Sequence, residues 1–176
     1  MIKRYLTLLL IVFLFNCPVY SDETKTDTLD FGKGHEDHSF LKVKNSNFKK
    51  ARDAIKQAKK YDKRGKLGKA NKRFNDAIKF LTIANKELPN EPAILNYLGY
   101  SFKKVGDLTM AEIYYKQGLA IDPAHVGINE HLGELYVETN RIDKAKERLK
   151  FLKNCKCEEF KELRNLISKY WFNINF

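Results

Sequence analysis

A shift of 34 residues lays one part of this chain on the next. It maps Ile94 to Ile128, Leu98 to Leu132, Gly99 to Gly133, Phe102 to Tyr136, Leu108 to Ile142, Ala111 to Ala145, Tyr115 to Leu149 and Gly118 to Leu152. A period of this length means one supersecondary unit used several times, each unit too small to bury its apolar face alone. The small residues Gly99, Gly133, Ala111 and Ala145 are expected where two antiparallel helices touch, because a larger side chain would push the pair apart. An earlier copy aligns in two ways. An offset of 34 matches Ala77, Leu81, Ala84 and Pro89, whereas an offset of 41 matches Ala54, Ala58, Tyr61, Gly65, Ala70, Phe74 and Ala77. The offsets differ by seven residues, close to two helical turns, so one lengthened second helix from about Leu67 to Leu88 serves both.

The punctuation agrees with helices. Gly65 and Gly68 bracket the first break, followed by Pro89 and Asn90, Gly106 and Asp107, Asp122 and Pro123, and Asn140. Asp107 and Asp122 read as N-caps, the second with Pro123 at the first helical position. After Cys157, the residues Phe160, Leu163, Leu166, Ile167 and Tyr170 form an apolar stripe with Glu158, Glu159, Lys161, Glu162 and Lys169 opposite. This is the pattern of a solenoid's terminal helix. The fold class expected is all-α.

The stretch LNYLGYSFKKVGDLTMAEIYYKQGLAIDP resembles the tetratricopeptide repeat at Leu95, Leu98, Gly99, Phe102, Gly106, Ala111, Tyr115, Leu119 and Pro123, with Gly118 where Ala is usual. The next copy keeps Leu132, Gly133, Tyr136, Ala145 and Leu149, but has Asn129 in place of a large apolar residue and lacks the closing Pro. The resemblance implies a right-handed solenoid of about three helix-turn-helix repeats plus a C-terminal capping helix. More narrowly, LNYLGY with AIDP, then HLGELY, then two close cysteines, are similar to small exported tetratricopeptide-repeat proteins of alphaproteobacteria with no assigned activity. The divisions expected are a signal peptide over 1–21, a disordered leader over 22–45, repeats over 46–157 (46–90, 91–125 and 126–157), a capping helix over 158–172 and a tail over 173–176.

The resemblance further implies that a peptide or protein segment binds along the concave face made by the first helix of each repeat. Spacing along those helices assigns Arg52, Lys56, Lys59 and Lys63 to that face. From the second repeat come Asn96, Tyr97, Tyr100, Lys103 and Lys104, and from the third Glu130, His131, Glu134 and Glu138. The groove is therefore expected to run from basic to acidic. Like charges at i and i+4 repel by about 0.2–0.5 kcal/mol. The three Glu are thus either neutralised by Lys103 and Lys104 or await a basic partner. On the second reading Glu134→Lys weakens binding and leaves melting unchanged.

Lys3 and Arg4, the 11-residue apolar run from Tyr5 to Phe15, and Ser21 ahead of Asp22 read as a secretory signal, with cleavage after Ser21. The run is shorter than the roughly 18–20 residues that cross a bilayer, so no stable span is expected after cleavage, and the protein is expected to be periplasmic or secreted. Cys17 follows Asn16 instead of a small residue, so lipidation is not expected. The net charge of +11 falls by two, to +9, when Lys3 and Arg4 leave. The lysines are interleaved with Glu and Asp along the chain, and an exported protein rarely meets nucleic acid, so none is expected as a partner.

No nucleophile can be paired with a base, Phe31 to His35 is no phosphate loop, and His35 with His38 stands in the leader, so no enzyme, cofactor or metal is expected. Cys155 and Cys157 form a disulfide with each other or to another chain, remain free, or hold a soft metal, and a thiol-redox or metal-handling accessory role is the alternative to the binding role. The aromatic tail from Tyr170 to Phe176 is expected to dock on the solenoid or on a second protomer as a homo-oligomer contact.

Overall fold

A computed structural model describes residues 44–175, with side chains described through Tyr170. The expected signal segment, nearly all of the expected leader with His35 and His38, and the terminal Phe176 lie outside the described residues. Among the described residues seven helices follow one another: α1 (Ser46–Asp62), α2 (Leu67–Glu87), α3 (Pro92–Lys104), α4 (Leu108–Ile121), α5 (Val126–Glu138), α6 (Ile142–Leu152) and α7 (Glu158–Asn175). There is no strand among the described residues.

The helix ends follow from local chemistry. Asn45 caps α1 by accepting hydrogen bonds from the Asn47 and Phe48 amides at 2.9 and 3.0 Å, and Asp107 caps α4 through the Met110 amide at 3.0 Å. Gly65 and Gly106, with φ of +67° and +90°, turn the chain after α1 and α3, and Asn90 and Asn140 take left-handed backbone after α2 and α5. Asp122 is not the N-cap expected of it. Its carboxylate accepts from the Ala124 amide at 3.1 Å within the turn, and His125 instead caps α5 through Nδ1 and the Ile128 amide at 3.3 Å. The helix α2 has 21 residues and α4 has 14, a difference equal to that between the two repeat offsets. At the other end α7 runs on through Asn175, so 172 is not a helix boundary. No Gly or Pro follows Cys157 to stop it.

The helices pack as hairpins, α1 on α2, α3 on α4 and α5 on α6. Successive hairpins meet through α2–α3 and α4–α5. The odd-numbered helices are neighbours on one face, where α3 meets α5 and α5 meets α7, and α7 also rests on α6. The interior has two apolar clusters, one with Phe48, Phe74, Leu81, Ile94 and Leu98 and one with Tyr115, Ile128, Leu132, Leu152 and Leu163, all fully buried, and Phe102 packs against both. Each such side chain stabilises the fold by about 1.5–3 kcal/mol. The repeat glycines permit this packing. A Cβ on Gly99 would stand less than 3.0 Å from the Tyr115 ring of α4, and one on Gly133 would meet Leu163 of α7 as closely.

Candidate partner-binding groove

The clearest concavity lies where α1 meets α3. Its volume is about 760 Å³, with a floor of Ile55, Tyr97 and Tyr100. Around that floor stand Lys49, Arg52, Lys56, Lys59, Lys60, Lys63 and Arg64, and the one acidic lining residue is Asp53. The helix places them there by spacing alone, since 49, 52, 56, 59 and 63 fall on one stripe and 53, 56, 60 and 64 on the adjoining one. Phe48 holds the Tyr97 ring edge-on at 5.5 Å, and Phe74 meets the Tyr100 ring edge-on at 5.9 Å. Lys59 and Lys104 stand over the Tyr100 ring with Nζ at 5.5 and 5.7 Å from its centre. Burial first, and then Glu134, raises the Tyr100 hydroxyl pKa far above its ordinary value, so the ring is neutral.

Six of the thirteen residues assigned to the groove from sequence therefore line this pocket: Arg52, Lys56, Lys59, Lys63, Tyr97 and Tyr100. Lys104 stands at its rim, 4.0 Å from Asp62. Lys49, Asp53, Lys60 and Arg64 were not assigned from sequence, although Lys49 continues the Arg52–Lys56–Lys59–Lys63 stripe by three residues towards the N-terminus and Asp53, Lys60 and Arg64 each follow one of its members directly.

The acidic end of the groove takes a different form. Glu134 is 4% exposed, and Lys103 Nζ lies 2.8 Å from Glu134 Oε2 and 2.9 Å from Glu138 Oε1. Burial works against the Lys103 charge, but the two carboxylates outweigh it and raise its pKa. The reading in which Lys103 neutralises the acidic end is the one observed, and Lys104 turns to Asp62 instead. Glu130 is buried, with Glu162 of α7 among the neighbouring acids that favour its protonated form. Burial, and next the neighbouring Glu134, push its carboxyl up to about 10, so it is a neutral acid at pH 7. Asn96 and His131 are buried too. His131 Nδ1 lies 3.0 Å from Asn96 Oδ1, between the Tyr100 and Tyr115 rings. Burial, and then the Lys103 charge, hold the His131 imidazole well below its usual range and uncharged. The expectation that Asn96, Glu130, His131 and Glu134 face a partner is thereby corrected. The α3–α5 and α5–α7 contacts cover them, and only Glu138 of the three Glu stays exposed.

Cys155 and Cys157 form a disulfide with Cα atoms 5.1 Å apart, between α6 and α7, and Lys156 inside this ring takes φ of +52°. Among the described residues no group of three or more His, Cys, Asp or Glu side chains could hold a metal, and no helix is long and apolar enough to cross a membrane.

Stacked helical hairpins whose odd-numbered helices share one face define an all-α helical-repeat fold. The tetratricopeptide-repeat profile matches residues 93–125, which comprise α3, α4 and the turn after them. Among solved structures, the first tetratricopeptide domain of Spaghetti (RPAP3), bound to the HSP90 peptide SRMEEVD, is 18% identical. That match covers 69% of this chain and 94% of the other, with a TM-score of 0.50. The Yersinia enterocolitica type III secretion translocator chaperone SycD is 14% identical over 71% of this chain and 86% of its own, with a TM-score of 0.53. Both likenesses are of fold. No curated protein sequence matches the chain.

Proposed function

We propose that this protein is an exported, periplasmic adaptor or assembly factor that captures an acidic segment of a partner protein in the pocket between α1 and α3, and that it has no catalytic activity. The observation that carries this reading is the charge of the pocket, seven cations to one carboxylate around an apolar floor. Such a site attracts an extended chain that alternates carboxylates with apolar side chains. Peptide capture by the Spaghetti domain, which is solved with SRMEEVD, supports a binding role for the fold. The N-terminal run from Lys3 to Ser21 supports export.

Lys56 and Lys60 are exposed, so reversing both tests the pocket without touching the core. In a fluorescence titration with a labelled oligoglutamate peptide, Lys56→Glu with Lys60→Glu should weaken binding about tenfold or more, which corresponds to about 0.7 kcal/mol or more per reversed charge. Circular dichroism and melting should not change. Equal affinity for the variant and the native protein, or tighter binding of duplex DNA or anionic vesicles than of the peptide, overturns the reading. The disulfide supports a second reading, a thiol-redox accessory role at Cys155 and Cys157. That reading requires Cys155→Ser with Cys157→Ser to abolish function with peptide capture intact.

A further inference from the structure

We infer that the pocket between α1 and α3 is occupied, in the absence of a partner, by the chain's own acidic segment before α1, residues 22–43, which a partner must displace. The inference rests on the acidic-segment reading of the pocket and adds its regulation.

Three observations converge on this occupant. The first is charge. Residues 22–43 carry six carboxylates against three lysines, in a chain whose net charge is +11, and the pocket they would enter has seven cations and one carboxylate. The second is pattern. Within the segment, Leu29 and Phe31 flank Asp30, with Asp27 before them and Glu36 and Asp37 after. Apolar groups set between carboxylates match a floor of Ile55, Tyr97 and Tyr100 inside a rim of cations.

The third is connection. The segment joins α1 at Asn45, and α1 is the helix that carries the cations, with Lys49 at the near end and Arg64 just beyond its far end. The 17 residues of α1 span about 25 Å at 1.5 Å per residue. A strand of 22 residues reaches about 70 Å at 3.3 Å per residue, more than enough to double back along the whole pocket. Glu36 and Asp37, eight or nine residues before Asn45, reach its middle, and Asp22 to Asp30 reach its far end.

Tethering makes even a weak match effective. A short tether holds the segment near its site at an effective concentration on the order of 1 mM, so an intrinsic affinity of about 0.1 mM keeps the pocket mostly filled and weakens a competing ligand about tenfold. The pocket then discriminates. A partner gains entry only if it binds more tightly than the tethered segment or arrives at high local concentration.

Two measurements on the protein with residues 22–43 in place test this. Carbodiimide cross-linking at low protein concentration joins carboxylates to nearby lysine amines. Mass mapping should find Asp22 to Asp37 joined to Lys56, Lys59, Lys60 or Lys63 of the same chain. Links spread evenly over lysines of α2, α4 and α6, or found only between two chains, overturn the inference. In the second measurement the six carboxylates are neutralised by Asp22→Asn, Glu23→Gln, Asp27→Asn, Asp30→Asn, Glu36→Gln and Asp37→Asn. This variant should bind the labelled oligoglutamate about tenfold more tightly than the native protein. Equal affinity overturns competition. Failure of the neutralised variant to bind the peptide at all overturns the acidic-segment reading itself, and with it the competition, whereas the cross-links report the segment's position independently.

Discussion

Glu130 and Glu134 occupy adjacent turns of one helix face and have opposite fates, because their neighbours come from different helices. Glu134 meets Lys103 of α3, whereas Glu130 meets Glu162 of α7 and is held neutral. The sign of the resulting pH dependence follows from the folded pKa of Glu130, which lies above its ordinary value. Its contribution to stability is fully present below about 4.5 and is lost as pH rises toward about 10, since over that window the unfolded chain releases a proton that the folded chain retains. Glu130→Gln keeps the hydrogen-bonding shape without the ionisation. Its melting temperature should exceed that of the native protein by at least about 4 °C at pH 9, the shift produced by roughly 1 kcal/mol in a small domain, and the gap should close toward pH 5 in thermal scans. Glu134→Lys has an outcome different from the one the sequence suggests. It sets a second ammonium against the buried Lys103, so it should destabilise by about 3–5 kcal/mol in denaturant titration, where a surface residue would leave melting unchanged.

At the scale of helices, the small residues at repeat contacts decide how closely the pairs approach. Gly99 faces the rigid, fully buried Tyr115 ring, and Gly68 near the start of α2 faces open space. One substitution should therefore have opposite signs at the two places. Gly99→Ala should cost about 1–3 kcal/mol by overpacking, and Gly68→Ala should gain up to about 1 kcal/mol from helix propensity, both read from urea unfolding midpoints. The repeat alignment pointed to Gly99 and Gly133 as contact points. It could not say that the side chain filling the space at Gly133 is Leu163 of α7 instead of a residue of α6, because α7 has no counterpart in the period from which the alignment was made.

Across the whole molecule, a net charge of +11 conceals a separation. The cations concentrate on α1, while the third repeat buries Glu134 in an ion pair with Lys103 of α3 and Glu130 as a neutral acid. The helical-hairpin fold was legible in the sequence because its signals are local. Helical spacing, caps and glycine turns act within one or two turns of chain, and hairpin partners are separated by a short turn. The cationic stripe of α1 was legible for the same reason, as its residues share one helix. Which charges remain at the surface was decided by tertiary structure alone. The contacts that settle it, His131 with Asn96 and Glu134 with Lys103, join residues 35 and 31 positions apart, and no periodicity within a single helix records whether a neighbouring helix covers a side chain or leaves it to solvent.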